Sequence, residues 1–290
     1  MLAALPALSP HDLIVALNDT LTHELERLHP TEWDENHISF SLVRVLRDTL
    51  SADGRVVPTE GRATMVVRAQ AYKVSGSMER SYGDIAIAIT DADLGVTGLG
   101  FYEAKLGDEH GQYPAFKMRQ LRRLLSAAPR LSLMLYERAD EPVHDVDVAF
   151  FPPTRSSWSR SRIRVVGGNV ASRFSHPPVL HLHPQSFGYQ FVTRYLSGRD
   201  LDYSRLPQLA LERWLRATKR TPPLLVQVTI SAGDEDKPPP PPPGPYVPIP
   251  PAPLIGEPPL LGEPCQPSGL SLPNTVLQQA PSSLTLGRRR

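Results

Sequence analysis

Two carboxylates and an amine, Asp84, Glu103 and Lys105, stand where folding would bring them side by side. Asp84 opens the alternating run Ile85-Ala86-Ile87-Ala88-Ile89, and Asp91-Ala92-Asp93-Leu94-Gly95 supplies turn residues. Residues 99 to 104 are apolar and aromatic again, apart from Glu103, and the segment closes on Glu103-Ala104-Lys105. This pattern predicts a β-hairpin turning near Leu94. Pairing then sets Asp84 opposite residues 103 to 105. The two-residue strand period puts Glu103 and Lys105 on one face and Ala104 on the other. A slip of one residue would separate them.

Two neighbouring carboxylates raise each other's proton affinity unless a cation lies between them. A hard divalent ion answers that need: Mg²⁺ takes oxygen ligands and requires only one or two protein carboxylates beside water and a substrate phosphate. Lys105 would hold positive charge where an attacking water loses its proton or where phosphate charge builds up. The reaction this inventory points to is metal-assisted hydrolysis of a phosphodiester. A Glu-x-Lys triplet alone decides nothing, since about one arises by chance in a chain this long, and Glu235-Asp236-Lys237 is another. Context sets Glu103 apart: an apolar strand before it, a partner strand opening with an acid, and a helix after it.

The flanking elements must position these groups. Thr31-Glu32-Trp33-Asp34-Glu35 reads as a helix start with Thr31 as the N-cap and acids in the first turn. Ile38, Leu42, Val45 and Leu46 form its apolar stripe, and Glu35, three residues before Ile38 and seven before Leu42, lies on that stripe. A core-facing carboxylate is rarely buried unless paired or metal-bound, so Glu35 is a candidate third ligand. Downstream, residues 112 to 128 are expected to form a helix with Pro114 in its first turn and Leu121, Leu124, Leu125 and Ala128 packed inward. Gln120 sits at the stripe's boundary, within reach of the site's mouth. Lys117, Arg119, Arg122 and Arg123 cover the rest, a row that is either solvated or placed to meet phosphates.

Taken together, Gly83-Asp84 and Glu103-Ala104-Lys105 resemble the Pro-Asp and (D/E)XK elements of the PD-(D/E)XK nuclease superfamily, over roughly residues 30 to 150. The resemblance implies a restriction-endonuclease-like fold, α/β in class, with three α/β/α layers around a central mixed β-sheet. It implies that Asp84, Glu103 and the Ala104 carbonyl bind Mg²⁺ or Mn²⁺, with Glu35 near the ion. Lys105 would position the attacking water and Gln120 would contact substrate or water. The Gln-x-x-x-Tyr variant is not matched, because Leu124 occupies the Tyr position. The implied activity is that of a Mg²⁺-dependent endonuclease acting on DNA rather than RNA, in a defence or restriction setting by family analogy. A reading from another class is a non-catalytic nucleic-acid- or protein-binding module on the same fold.

Of 290 residues, 40% are hydrophobic and the net charge is +1, enough apolar content for a core across residues 1–235. Ser9-Pro10 starts a helix with Leu13, Leu17, Leu21, Leu25 and Leu28 on one side. Strands are expected at 64–67, 70–74, 131–136 and 146–151, helices at 185–196 and 204–218, and an edge strand at 224–230. Residues 156–173 are basic, with Arg160, Arg162, Arg164 and Arg173 around Trp158. That mixture suits nucleic-acid contact or an exposed edge strand. His176, His181 and His183 are a weak zinc pattern flanked by prolines.

Residues 236–290 read as a disordered proline-rich tail, in which the 238–243 run is polyproline II and offers a docking ligand or a spacer. Cys265 is the one cysteine, which excludes an internal disulfide and a cysteine zinc site. Residues 1–8 lack the basic residues of a secretion signal, and no run reaches membrane-spanning length, so a soluble cytoplasmic protein is expected.

Overall fold

The computed structural model describes residues 7–50, 54–59, 62–74, 84–108, 112–138, 161–173, 185–203, 224–232 and 246–250. The chain divides into two units, Met1–Ala252 and Pro253–Arg290, and the second lies outside the described residues. So do Gly83, Trp158, Arg160, His176, His181, His183, Cys265, the expected strand at 146–151, the expected helix at 204–218 and the 238–243 proline run.

The first helix, α1 (Pro10–Glu26), begins as its sequence predicts: Ser9 caps it, its hydroxyl accepting from the Asp12 N–H at 3.1 Å. Leu13, Leu17, Leu21 and Leu25 are buried, each contributing about 1.5–3 kcal/mol. The second helix, α2 (Glu35–Leu50), starts later than expected. Pro30–Glu32 forms a 3₁₀ turn, and Asp34 rather than Thr31 is the cap, its Oδ1 accepting from Asn36 and His37 N–H at 2.8 and 3.0 Å. A carboxylate two and three residues before those donors satisfies them better than a hydroxyl further back.

The hairpin forms as predicted. Strands β3 (Ile85–Asp91) and β4 (Val96–Leu106) pair antiparallel from Ile85 opposite Tyr102 to Asp91 opposite Val96. The turn is fixed by Asp91, whose Oδ1 accepts from the Asp93 and Leu94 N–H groups, and by Gly95 at φ 65°, a left-handed conformation that suits glycine. Thr90 and Thr97 share a hydrogen bond of 2.8 Å just below it.

Around this hairpin runs one mixed sheet. The other strands are β1 (Arg55–Thr59), β2 (Arg62–Val74), β5 (Ser132–Tyr136), β6 (Ile163–Gly167), β7 (Gln185–Ser186), β8 (Leu224–Ser231) and β9 (Tyr246–Pro248). Their order is β1-β2-β8-β3-β4-β5-β6-β7, with β9 also on β2. The β3–β8 and β4–β5 pairs are parallel and the rest antiparallel. One apolar cluster joins α1 and α2 to Ile85, Ile87, Tyr102, Ala104 and Met134. The other joins the third helix, α3 (Met118–Ala127), to the opposite face through Ala86, Phe101, Leu133 and Leu135. Helices therefore cover both faces, and the class is α/β with a mixed central sheet.

Several expectations are corrected. Residues 224–230 lie at the centre of the sheet, between β2 and β3, with every residue of β8 buried; a near-continuous apolar run suits that place better than an edge. Helix α3 begins at Met118, so Pro114 precedes it. Residues 185–196 are helical only after a short strand, as α5 (Phe187–Tyr189) and a π-helical turn (Gln190–Tyr195). A four-residue helix, α4 (Gly168–Ala171), follows β6.

The compact unit also runs past residue 235. Tyr246–Pro248 pairs with Tyr72–Val74, Ile249 is 4% exposed, and Arg47 Nη1 donates to the Ile249 and Pro250 carbonyls at 2.7 and 2.6 Å. Proline lacks an N–H but keeps its carbonyl, which an arginine can bind. This stretch of the expected tail is thus occupied within the fold.

Tyr195 of the π-helical turn packs directly on β4. A Cβ at Gly100 would lie 2.6 Å from its ring. Gly100→Ala is therefore expected to destabilise the protein by about 1–3 kcal/mol, read as a lower urea midpoint at unchanged slope; an unshifted midpoint would show that the ring yields freely.

Candidate active site

Asp84 stands one residue before β3, and its N–H donates to the Tyr102 carbonyl at 2.8 Å, extending the ladder by one step. That step sets Asp84 beside Glu103. The Asp84 Oδ2 accepts from the Ala104 N–H at 2.7 Å. Glu103 and Lys105, on the face turned to α3, are 4% and 6% exposed. Their pairing is close, Lys105 Nζ lying 2.8 Å from Glu103 Oε1.

The amine is the centre of the cluster. Besides Glu103, Lys105 Nζ donates to the Ala104 carbonyl at 2.6 Å and lies 3.6 Å from Glu35 Oε2. Glu35, the first residue of α2, turns its other oxygen to the end of β4, where Oε1 accepts from the Leu106 N–H at 3.2 Å. From α3, Gln120 Nε2 donates to Glu103 Oε1 at 2.6 Å. The six residues proposed from the sequence for the metal and catalytic site, Glu35, Asp84, Glu103, Ala104, Lys105 and Gln120, belong to one connected group. Glu35 differs in one respect: its side chain is 30% exposed, at the rim rather than in the core.

Charge explains the cluster's titration. Burial, followed by the nearby Glu103 charge, pushes the Asp84 carboxyl up to about 8, against the partial relief of Lys105 and the Ala104 N–H. Burial alone would lower the Lys105 amine, but Glu103, then Glu35 and Asp84, outweigh it and hold the amine above its ordinary value. The acids here carry more negative charge than one amine relaxes.

Two residues behind the cluster went unremarked in the sequence. Tyr136, fully buried at the end of β5, shares a 2.7 Å hydrogen bond with Ser39. Its phenol is raised by burial, and the Asp84 and Glu35 charges add to the rise. Ser39 lies four residues after Glu35, hence on the same side of α2, a spacing that could have flagged it.

Oxygen donors of the kind a hard divalent ion takes are all present: the Asp84, Glu103 and Glu35 carboxylates and the Ala104 carbonyl. Among the described residues, however, no three His, Cys, Asp or Glu side chains are arranged to hold a metal ion. The reason is visible in the contacts, since Lys105 occupies the point where the oxygens converge and Asp84 faces the Ala104 amide. The donor chemistry fits an ion, and the ammonium already sits among oxygens as a cation would.

Two arginines of the basic stretch depart from the expectation of an exposed surface, while Arg173 is exposed. Arg162 and Arg164 are 5% and 6% exposed. Arg164 Nε lies 2.6 Å from Glu137 Oε1, and Arg162 Nη2 lies 3.5 Å from Glu26. Buried guanidiniums held by acids are structural ion pairs rather than a nucleic-acid surface. Among the described residues no helix is long and apolar enough to cross a membrane. The chain matches no family model, no curated protein and no solved structure.

Proposed function

We propose that this chain is a divalent-metal-dependent nuclease of the PD-(D/E)XK kind on a restriction-endonuclease-like fold, hydrolysing phosphodiester bonds of DNA in preference to RNA. One observation carries the reading: the Lys105 amine lies among Glu103, the Ala104 carbonyl and Glu35 with Asp84 alongside, all at one end of β3 and β4. Asp84, Glu103 and the Ala104 carbonyl are the residues that would hold Mg²⁺ or Mn²⁺, with Glu35 at the rim. Such an ion supplies Lewis-acid polarisation of the phosphoryl group.

The chain's own residues do the rest. Gln120 holds Glu103 in orientation through its 2.6 Å hydrogen bond. Lys105, kept protonated by its neighbours, places positive charge beside the reacting phosphate and orients water by donating to it. Tyr136 and Ser39, hydrogen-bonded to each other, lie in the core near enough for the Asp84 and Glu35 charges to act on the phenol.

A second reading, a non-catalytic binding module, draws on one specific observation: Lys105 supplies a countercharge to the acids itself. Incubation with plasmid, linear duplex and single-stranded DNA and with RNA separates the two. Cleavage is expected with Mg²⁺ or Mn²⁺ and to stop when EDTA removes the metal; no cleavage of any substrate under any metal would favour the binding module.

A further inference from the structure

We infer that the solvent face of α3 is the surface along which a nucleic-acid backbone runs into the site, an inference that rests on the nuclease reading and extends it to the partner's track. Residues 117 to 130 hold Lys117, Arg119, Arg122, Arg123 and Arg130 and no acid, in a chain whose net charge is only +1. The basic excess is therefore local, and α3 concentrates it.

Helical spacing decides where the charges point. At 3.6 residues per turn, Arg119, Arg122 and Arg123 fall in one arc. All three are exposed, while Leu121 and Leu124, on the other side, are 2% and 0% exposed in the core. Gln120 lies between these faces. It is half-buried, it borders the arginine arc with Arg123 three residues on, and its amide reaches Glu103. A chain lying along the arginines is thereby delivered to the acid cluster by the next residue on the helix.

Like charges three and four residues apart weaken a helix. A polyanion alongside converts that repulsion into attraction, and regularly repeated phosphates match a row of cations better than scattered acids do. Of the described arginines in the 156–173 stretch, Arg162 and Arg164 are buried against acids, and Arg173 is exposed but stands alone rather than in a row. A nucleic-acid strand is favoured over an acidic protein because the row ends at a cluster whose chemistry concerns phosphate.

The test is binding of a fluorescent DNA duplex in EDTA, where no cleavage intervenes, over a series of salt concentrations. Arg119→Ala/Arg122→Ala/Arg123→Ala, at exposed positions and checked for an unchanged melting temperature, is expected to lower affinity about tenfold or more. The slope of log affinity against log salt should fall by roughly 2 to 3. Arg27→Ala, exposed at the C-cap that follows α1, is the control and should lower that slope by no more than about one contact.

Wild-type affinity and slope in the triple variant would overturn the inference while leaving metal-dependent cleavage, and so the nuclease reading, intact. A wild type that neither binds nor cuts nucleic acid would overturn both. Binding of polyglutamate in place of DNA would assign the face to an acidic protein and overturn the inference.

Discussion

Glu103→Gln and Lys105→Met are each expected to reduce metal-dependent cleavage of DNA by about three orders of magnitude, the scale on which removal of a charge-stabilising or proton-handling group is felt. The two variants should part company in stability. Glu103 and Lys105 are buried together at 2.8 Å, so loss of the amine leaves acids without their nearest countercharge, a change that costs roughly 3–5 kcal/mol in a buried pair. Loss of the Glu103 charge instead lessens the repulsion on Asp84 and keeps an acceptor for Gln120. Lys105→Met should therefore melt lower than wild type at pH 8 and recover toward it near pH 5, as the stranded acids take up protons. Glu103→Gln should fall less, because the Lys105 amine keeps Glu35 and Asp84 as countercharges. Cleavage by either variant at the wild-type rate would remove that residue from the chemistry.

Asp84→Asn is expected to stabilise the metal-free protein at alkaline pH. The Asp84 carboxyl is pushed up to about 8 by burial and then by Glu103, from a usual value of 3.8. Between those values the folded protein keeps a proton that the unfolded chain has released. The group's contribution is fully present below the lower value and is lost as pH rises through the upper one. Asparagine is neutral throughout and can still accept from the Ala104 N–H. The variant's advantage should thus be small near pH 5 and grow to about 2–6 °C in melting temperature near pH 9, after allowing for partial exposure. Saturating Mg²⁺ should reverse the order, because ligand binding stabilises only the protein that binds it. A wild type that melts at or above the variant at pH 9 without metal would contradict the electrostatic account of Asp84.

The hairpin was legible because its signals are local. Alternation from Ile85 and an Asp-rich turn closing on Gly95 fix the register, and the register alone brings Asp84 to Glu103. Glu35 and Gln120 were legible from helical spacing against their leucines, although the start of each helix was not. Asp34 competes with Thr31 for the α2 cap, and residues 112–117 turn before α3 begins at Met118.

What stayed hidden depends on distant pairing. Nothing near residue 224 announces that β8 inserts between β2 and β3, more than a hundred residues away in the chain. Pro58 disguised β1, which tolerates it as an edge strand with an irregularity between Val57 and Thr59. The prolines around Tyr246 likewise disguised a strand held by Arg47. The inward turn of Lys105, and the burial of Arg162 and Arg164, follow from neighbours that the local sequence does not contain.

Calorimetric titration of the metal-free protein with Mn²⁺ bears most directly on the claim that these acids converge on a shared ion. The wild type should bind, with proton release below pH 8 as Asp84 ionises, and Asp84→Asn should lose most of that binding while remaining folded. Absence of binding to the wild type, or equal binding by the variant, would contradict it.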